Sequence, residues 1–206
     1  NVLEKNKKLE KELGFENKIV IGYIGSFVNY EGLDLLLEAC SLLHKKIGDV
    51  FRVLLVGDGT MMKSLRDMAR FLQIEDIISF TGRVTHDEVQ DYYSLIDIAP
   101  LPRKGHRVCE LVSPLKPFEA MSSGKVVITS SVKALAEIIE HEKTGLVFEK
   151  DNSMDLADKL ESVILNPELR GTLGVNARNW VEENHSWEKI SKRVLDVYQQ
   201  ILEEEK

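Results

Sequence analysis

Cysteine is scarce in this sequence, and long apolar runs are missing from it. The chain of 206 residues contains 2 cysteines, Cys40 and Cys109, which lie far apart and outside any metal-ligand spacing or redox pair. No segment approaches the roughly 20 consecutive apolar residues that a membrane-spanning helix requires. The 5 histidines show no ligand spacing, and no Ser/His/Asp arrangement is present. We therefore expect a cytoplasmic protein with reduced thiols and no metal site.

Basic residues are outnumbered by acidic ones. The sequence has 27 Lys and Arg residues against 34 Asp and Glu residues, which gives a formal net charge of −7. This balance argues against nucleic acid as a partner and requires that any site for an anion be local. The length suits one substantial core, and we favour one domain. The lysine-rich residues after Asn1 are typical of a linker, so we expect a fragment of a longer protein.

Short apolar runs alternate with segments of helical periodicity. The predicted strands are Lys18–Gly25, Phe51–Val56, Ile77–Thr81, Ile96–Ala99, Val126–Thr129 and Gly145–Phe148. The helices predicted between them are Gly32–Leu43, Met61–Leu72, Asp87–Leu95, Leu115–Ser123 and Lys133–Glu140. This alternation predicts an α/β fold with a Rossmann-like, doubly wound parallel sheet of about six strands and helices on both faces. In such folds ligands bind where the loops after the strands meet.

Both ends of the chain are predicted to be helical. A polar helix covers residues 1–13, and from Met154 onward the sequence is helical, with a break at Asn166 and Pro167. We divide the chain into a linker or lead-in helix (1–14), a Rossmann-like domain (15–185) and a C-terminal helix (186–206). Three aromatic residues in amphipathic stretches are interpreted as packing anchors, namely Trp180, Trp187 and Tyr198.

The segment Pro100–Lys125 concentrates basic side chains ahead of a short helix. These side chains are Arg103, Lys104, Arg107 and Lys116. Pro114 and Pro117 fit the start of a helix, where a missing N–H costs nothing. Free amides at the helix start and the basic loop together form a candidate site for an anionic group such as a diphosphate. The alternative is a solvated loop followed by a core helix.

Two further patterns allow more than one interpretation. Gly57-Asp58-Gly59 follows a strand, as the NAD-binding fingerprint does, but Met62 replaces the third glycine, and a tight turn explains both glycines. Glu110 and Glu119 flank the predicted helix start and could accept hydrogen bonds from sugar hydroxyls. The alternatives are a loop charge paired with Arg107 for Glu110 and a helix-surface charge for Glu119.

Six segments, taken in order, resemble a known family. They are IGYIGSFVNYEGLDLLLEA, LLVGDGTMMKSL, ISFTGRVTHDEVQDYYSLIDIAPLP, SPLKPFEAMSSGKVVITS, TGLVFEKDN and SWEKISKRVLDVY. The sequence resembles the C-terminal, donor-binding half of a GT-B glycosyltransferase of the family 4 type (group 1), the retaining enzymes that use nucleotide sugars. The resemblance extends from about Leu13 to Tyr198. The variant ELVSPLKPFEAM is similar to a subgroup associated with exopolysaccharide or cell-surface glycan assembly.

The resemblance implies roles for particular positions. Glu119 matches the second glutamate of the family's Glu-x7-Glu motif, which holds the nucleotide ribose. Val84 matches the position where the base is bound through the main chain, and Gly25 matches the glycine of the first loop. The backbone that meets the sugar and the diphosphate corresponds to Val112, Ser113, Pro114 and Leu115.

Three positions depart from the family pattern. The first glutamate of the motif corresponds to Leu111, and Glu110 serves only if the loop carries a bulge. The family's phosphate-binding arginine and lysine correspond to Ser26 and Glu31, so both positive charges are absent. We expect the role of neutralising the phosphates to fall instead to Arg103, Arg107 or Lys116. Each such charge-assisted contact contributes roughly 1.5 to 3 kcal/mol. The candidates for a catalytic group are Arg107, Lys116 and Glu110.

The resemblance implies the nucleotide-sugar-binding domain of a retaining glycosyltransferase that moves a hexose-type sugar from UDP or GDP to a glycan or lipid-linked acceptor. The nucleotide sugar is then a substrate, and no cofactor is required. The acceptor lobe is expected in a missing N-terminal half, without which the chain is inactive, and any peripheral membrane contact belongs to the intact enzyme. Two alternatives remain open. One is a non-catalytic docking domain of a glycan-assembly complex, which the replacements at Ser26 and Glu31 favour. The other is an NAD-dependent oxidoreductase, which the incomplete glycine pattern disfavours.

Overall fold

A six-stranded parallel sheet organises the computed structural model, which describes residues 3–204. The strands are β1 (Ile19–Ile24), β2 (Phe51–Val56), β3 (Ile78–Gly82), β4 (Ile98–Leu101), β5 (Val126–Ser130) and β6 (Leu146–Phe148). Their order in the sheet is β3-β2-β1-β4-β5-β6, and all neighbouring strands are parallel. This order is that of a doubly wound Rossmann-like sheet, so the predicted fold class is confirmed.

The described residues also form ten α-helices. They are α1 (Lys7–Glu12), α2 (Leu33–Ile47), α3 (Met62–Phe71), α4 (Val89–Leu95), α5 (Arg107–Leu111), α6 (Lys116–Ser122), α7 (Lys133–Ala136), α8 (Ser153–Leu165), α9 (Pro167–Asn184) and α10 (Trp187–Glu204). The first two residues of the predicted lead-in helix lie outside the described range, and within that range α1 begins at Lys7. Helices α8 to α10 follow the last strand, as the sequence predicted.

The core lies on both faces of the sheet because the central strands are mostly apolar. Every residue of β5 is buried, and so are the four central residues of β1. Side chains such as Phe51 from β2, Leu36 from α2 and Met121 from α6 are completely enclosed. Each aliphatic or aromatic side chain buried in this way contributes about 1.5 to 3 kcal/mol. The sheet therefore holds the ends of its strands, and the loops that follow them, in fixed places.

The strand order reverses between β1 and β4, and β4 lies two residues later in the chain than predicted. The sequence placed the end of this strand at Ala99, whereas the structure extends it to Leu101 and pairs Pro100 with Ile128 of β5. A proline in a strand has no N–H to donate. It is accommodated here because β1 and β4 pair in register only at Ile21 and Ile98 among the described residues.

The segment after β4 is not the continuous loop that the sequence predicted. Residues Arg107–Leu111 form α5, in which the N–H groups of Cys109 and Glu110 donate to the carbonyl of His106 at 2.8 and 3.2 Å. The side chain of Cys109 is buried. This one buried residue is enough to anchor a single helical turn. The sequence did not predict the turn because most residues around Cys109 are charged or polar.

The interpretation of Trp187 and Tyr198 as packing anchors is wrong for the described chain. Their exposed fractions are 77% and 62%, whereas Trp180 is partly buried against the core. Other large apolar residues of α10 are exposed as well, namely Val194, Leu195, Val197, Ile201 and Leu202. Helix α10 therefore presents apolar residues that nothing in residues 3–204 covers.

Candidate functional site

A cleft of about 280 Å3 opens at the carboxyl ends of β1, β2 and β3. We call it the strand-end cleft, and it is lined by Ile24, Gly25, Ser26, Val56, Gly57, Asp58, Arg83, Val84 and Val89. Three of these residues are predicted donor-binding residues, namely Gly25, Ser26 and Val84. The cleft lies on the edge of the sheet where ligands of doubly wound folds bind.

The floor of the strand-end cleft is backbone, because two glycines meet there. Gly25 and Gly57 have φ angles of 152° and 133°, which residues with a side chain rarely adopt. A Cβ on Gly57 would lie 1.9 Å from the carbonyl oxygen of Gly25. The N–H of Gly25 donates to the carbonyl of Val56 at 2.9 Å. The loops after β1 and β2 therefore approach so closely that only glycine fits between them.

A buried carboxylate lies beside the cleft. Glu31 is 3% exposed and accepts hydrogen bonds from Nη2 of Arg103 at 2.9 Å and from the hydroxyl of Tyr23 at 3.1 Å. Nζ of Lys116 lies 3.5 Å from the same carboxylate. Burial, and then the negative charge of Glu31, raises the pKa of Tyr23 well above its ordinary value, so the hydroxyl remains a donor. We call these four residues the Glu31 cluster.

Arg103 is occupied within the Glu31 cluster. Its side chain is 10% exposed, and besides Glu31 it donates from Nη1 to the carbonyl of Val112 at 3.0 Å. The guanidinium thus connects the loop after β1 with the segment that precedes α6. The charge of Arg103 balances that of Glu31. Position 31 is where the family resemblance implies a lysine that this chain lacks.

Lys116 is the first residue of α6 and lies across the loop after β1. A Cβ on Gly25 would lie 2.5 Å from Cε of Lys116 and 3.2 Å from its Nζ. The same Nζ lies 5.5 Å from the centre of the Tyr23 ring, within range of a cation–π interaction. The Glu31 cluster contains one carboxylate and two cations, so it carries an excess positive charge. Lys116 places part of that charge against a glycine that lines the strand-end cleft.

Glu119 lies one turn further along α6 and is exposed. Its carboxylate accepts a hydrogen bond from the hydroxyl of Tyr93 at 3.3 Å. Burial of Tyr93, followed by the charge of Glu119, raises the pKa of this tyrosine above its ordinary value. Tyr93 is thus held as a donor that orients the carboxylate while leaving its other lone pairs open.

Glu110 faces a different part of the structure. It accepts a hydrogen bond from the backbone N–H of Lys133 at 2.7 Å and forms an ion pair with Lys150. The N–H of Lys133, and then the ammonium of Lys150, lowers the pKa of Glu110 below its ordinary value. In the described chain it forms no ion pair with Arg107, so that alternative is wrong.

The remaining predicted residues form an exposed rim between α5 and α6. Arg107 is exposed at the start of α5 and has no hydrogen-bond or ion-pair partner within residues 3–204. Pro114 is buried, whereas the other rim residues are exposed, namely Leu111, Val112, Ser113 and Leu115. The structure thus brings Gly25, Ser26 and Val84 into one cleft and places Lys116 against it.

Sequence reasoning assigned no role to Asp58, Arg83 or Tyr23. Nε of Arg83 lies 3.9 Å from the carboxylate of Asp58, and both residues line the strand-end cleft. Asp58 follows β2, and Arg83 follows β3, so their positions after predicted strands could have identified them. Tyr23 lies inside β1 among apolar residues, and nothing in the sequence distinguishes it from a core aromatic.

Two classes of feature are absent from the part of the chain that the structure describes. Residues 3–204 contain no group of three or more His, Cys, Asp and Glu side chains arranged to hold a metal ion. No helix within that range combines the length and the apolar character needed to cross a membrane.

Known proteins provide an independent comparison. The chain is 31% identical over 180 residues to an uncharacterized glycosyltransferase of Methanocaldococcus jannaschii, which covers 87% of this chain and 47% of that protein. It is 24% identical over 191 residues to the GDP-mannose-dependent alpha-(1-6)-phosphatidylinositol monomannoside mannosyltransferase of Mycobacterium tuberculosis, with coverage of 92% and 49%. The chain spans about half the length of these curated relatives.

The solved structures show the same relationship. Anabaena HepE in complex with UDP-glucose has a TM-score of 0.81 to this chain at 20% identity, with coverage of 94% of this chain and 52% of HepE. The fold is thus one half of a GT-B glycosyltransferase, as the sequence motifs predicted. Residues 4–180 match the family model described as glycosyl transferases group 1. A match over this much of the sequence shows that the chain belongs to the group 1 glycosyl transferases.

Proposed function

We propose that this chain is the nucleotide-sugar-binding domain of a retaining glycosyltransferase that transfers a hexose from UDP or GDP to a glycan or lipid-linked acceptor. The observation that carries the proposal is the position of Lys116, whose ammonium group lies against Gly25 at the strand-end cleft. Two relatives support the class of substrate. HepE was solved with UDP-glucose, and the mycobacterial relative is named as GDP-mannose-dependent.

The Glu31 cluster supplies the positive charge for the diphosphate in this proposal. Arg103 neutralises Glu31, which leaves the charge of Lys116 as the excess. An ammonium that is held in place before the reaction stabilises charge that develops on a leaving group without further reorganisation. The lysine that is missing at position 31 is thereby replaced by Lys116 from α6, and Arg103 takes a supporting role.

The transfer step can be written from this arrangement. The bond between the anomeric carbon and the diphosphate oxygen breaks, and its electron pair leaves with the diphosphate beside Lys116. The acceptor hydroxyl oxygen bonds to the same face of the anomeric carbon, and its proton passes to the departing diphosphate. We propose that cationic side chains stabilise this charge and that neither a metal nor a cofactor takes part.

The other contacts follow the family positions. Glu119, oriented by Tyr93, is proposed to bind the ribose hydroxyls. Val84 lines the cleft after β3, where its backbone is proposed to bind the base. The exposed rim at Val112 to Leu115 is proposed to meet the sugar and the diphosphate, with Arg107 nearby as a further cation.

The Glu31 cluster also bears on the alternative of a non-catalytic docking domain. The docking hypothesis rested on the loss of positive charge at Ser26 and Glu31. Because Glu31 is paired with Arg103 at 2.9 Å and Lys116 remains beside the cleft, the site keeps an excess positive charge. The replacement at Glu31 therefore gives the docking hypothesis no support.

The second lobe of the enzyme is proposed to lie outside this chain. The relatives are about twice as long as the matched region. The exposed apolar residues of α10, among them Trp187 and Ile201, provide a surface for that lobe to cover. We propose that the acceptor site, and any contact with a membrane surface, belong to the complete enzyme and not to this chain alone. We propose a cytoplasmic location because Cys40 and Cys109 are both free thiols.

Calorimetric titration of the 206-residue chain tests the donor site. The ligands are UDP, GDP, UDP-glucose, GDP-mannose, uridine, guanosine and NAD. We expect UDP or GDP and the corresponding sugar conjugate to bind, and NAD not to bind. Lys116→Ala should weaken binding of the diphosphates about tenfold or more, because a charge-assisted contact is lost. Uridine and guanosine lack the diphosphate, so their affinities should not change.

A matched control is Lys143→Ala. Lys143 is exposed in the segment between α7 and β6 and lies outside the strand-end cleft. Its replacement should leave all affinities unchanged, whereas Glu119→Gln should weaken the binding of nucleosides and of nucleoside diphosphates alike. A folded chain that binds none of these ligands would contradict the donor-binding proposal. Sugar transfer by the isolated chain would contradict the need for a second lobe.

A further inference from the structure

A second cavity lies on the edge of the sheet opposite the strand-end cleft. It encloses about 330 Å3 and is bounded by the segments that enter β4 and β5 and by the first half of α9. We call it the amino-end cavity, because it lies where β4 and β5 begin. None of its residues takes part in the proposed transfer reaction.

Lys125 lines this cavity and is almost completely buried. Its exposed fraction is 7%, and its Nζ donates one long hydrogen bond, to the carbonyl of Ser94 at 3.4 Å. Lys125 forms no ion pair with any residue in the range 3–204. An ammonium group has three donors, and burial without partners is costly. Burial lowers the pKa of Lys125 because the charged ammonium is less stable away from water.

An arginine with an unpaired donor lines the same cavity. Nε of Arg178 donates to Glu182 at 2.8 Å, but its buried Nη1 has no hydrogen-bond partner in the described structure. Arg170 also lines the cavity and donates to the carbonyl of Val163 at 2.8 Å. Buried polar groups in folded proteins are nearly always satisfied, so the unpaired Nη1 of Arg178, beside a buried lysine with one long hydrogen bond, requires an explanation.

The carboxylate that lines the cavity is already compensated. Asp97 accepts a hydrogen bond from the N–H of Val20 at 2.9 Å and pairs with Lys5 at 3.1 Å. The lining thus contains Lys125, Arg170 and Arg178 against one carboxylate that has its own cation. This local excess of positive charge occurs in a chain whose formal net charge is −7.

The rest of the lining is small or apolar. Gly171, Gly174 and Val175 lie on the side of α9 that faces the cavity, and Pro167 begins that helix. A Cβ on Gly174 would lie 2.6 Å from the carbonyl oxygen of Gly124, so α9 packs directly on the turn that precedes Lys125. The cavity therefore combines cations, two of which come from α9, with small and apolar residues of the same helix.

We propose that the amino-end cavity binds a small organic anion, whose phosphate or carboxylate group accepts hydrogen bonds from Lys125 and Arg178 and whose compact apolar part contacts Val175 and Pro167. The volume of about 330 Å3 is at the lower end of the range of small-molecule sites. The anion satisfies the unpaired donors and offsets the cost of burying the lysine. The site is independent of the nucleotide-sugar site, because it lies on the opposite edge of the sheet.

Glycine amides provide separate reporters for the two sites. Gly124, Gly171 and Gly174 line the amino-end cavity, and Gly25 and Gly57 line the strand-end cleft. We would record amide NMR spectra of the 206-residue chain during titration with phenyl phosphate, benzoate and benzyl alcohol. At least one of the two anions should shift the three cavity glycines in a saturable manner. The neutral alcohol, which has a similar apolar part, should not shift them.

Lys125→Met and Arg178→Met test the cations with little change in side-chain length. Each substitution should weaken binding of the anion at least about tenfold, because each removes a charge-assisted hydrogen bond. Lys46→Met, which changes an exposed lysine on α2, should leave the affinity unchanged. The proposal is overturned if neither anion shifts the cavity glycines, if benzyl alcohol shifts them equally, or if binding survives both substitutions. Two variants are used so that, if one of them misfolds, the other still tests the proposal.

Discussion

Replacing Glu31 should destabilise the domain because two cations lose their shared carboxylate. Glu31→Gln keeps the shape of the side chain and one carbonyl acceptor but removes the charge between Arg103 and Lys116. At 2.9 Å and an effective dielectric constant of about 20, the attraction between Glu31 and Arg103 amounts to ~6 kcal/mol before desolvation. Removing one partner of a buried pair costs about 3 to 5 kcal/mol in measured cases. We expect the lower end of that range, since glutamine still accepts a hydrogen bond.

Urea unfolding followed by circular dichroism measures this loss. For a domain of this size, about 3 kcal/mol corresponds to a fall in melting temperature of about 6 to 12 °C. The double variant Glu31→Gln/Arg103→Met removes both buried charges, so it should be less destabilised than the sum of the single variants. The control is Asp67→Asn, which breaks an exposed ion pair with Arg70 of 2.7 Å and should cost less than about 1 kcal/mol.

Two results would refute this reasoning. One is a loss below about 1 kcal/mol for Glu31→Gln, which is the size expected of an exposed pair. The other is strict additivity of Glu31→Gln and Arg103→Met in the double variant. Either result would mean that the Glu31 cluster is solvated and that its charges are not coupled in the folded protein.

Three further substitutions test the cleft floor, an open glycine position on α9 and the acid sensitivity of α5. Gly57→Ala should destabilise the chain by more than about 1 kcal/mol and weaken nucleotide binding, because its Cβ would lie 1.9 Å from the carbonyl oxygen of Gly25. Gly171→Ala, with open space at its Cβ, should be neutral or stabilising in urea unfolding. The lowered pKa of Glu110 adds stability that is present above the ordinary glutamate value of 4.5 and is lost as the pH falls through the lowered value. Glu110→Gln should therefore reduce the pH dependence of stability on the acid side of 4.5, and an unchanged acid limb in urea titrations would contradict this assignment.

The sheet was predictable because its strands are buried on both faces. Continuous apolar runs such as residues 53–56 and 126–128 identify such strands without any knowledge of their neighbours. The loops that carry Gly25 and Val84 could be placed at one edge because parallel strands all end at the same edge of the sheet. Lys116 could be located at the start of a helix because Pro117 follows it.

The partners of the charged residues could not be predicted in the same way. Glu31 and Arg103 are 72 residues apart and meet only because β1 and β4 are neighbours in the sheet. Glu110 is separated from Lys150 by 40 residues, and sequence proximity suggested Arg107 instead. The period of α10 indicates an apolar face, but periodicity does not reveal which surface covers that face. Long-range pairing depends on strand order, which the local pattern leaves open.

The junction between β1 and β4 has a mechanical consequence for the sheet. In the described structure β1 pairs in register with β2 at six positions and with β4 at one, so few backbone bridges join the two halves of the sheet at this junction. At the amino end the halves are held by Asp97, which exchanges hydrogen bonds with the backbone of Val20 at 2.9 Å. At the carboxyl end, beyond Pro100, they are held by the bond between Glu31 and Arg103. That ion pair therefore adds a side-chain link between the two halves of the sheet, at the junction where the backbone bridges are fewest.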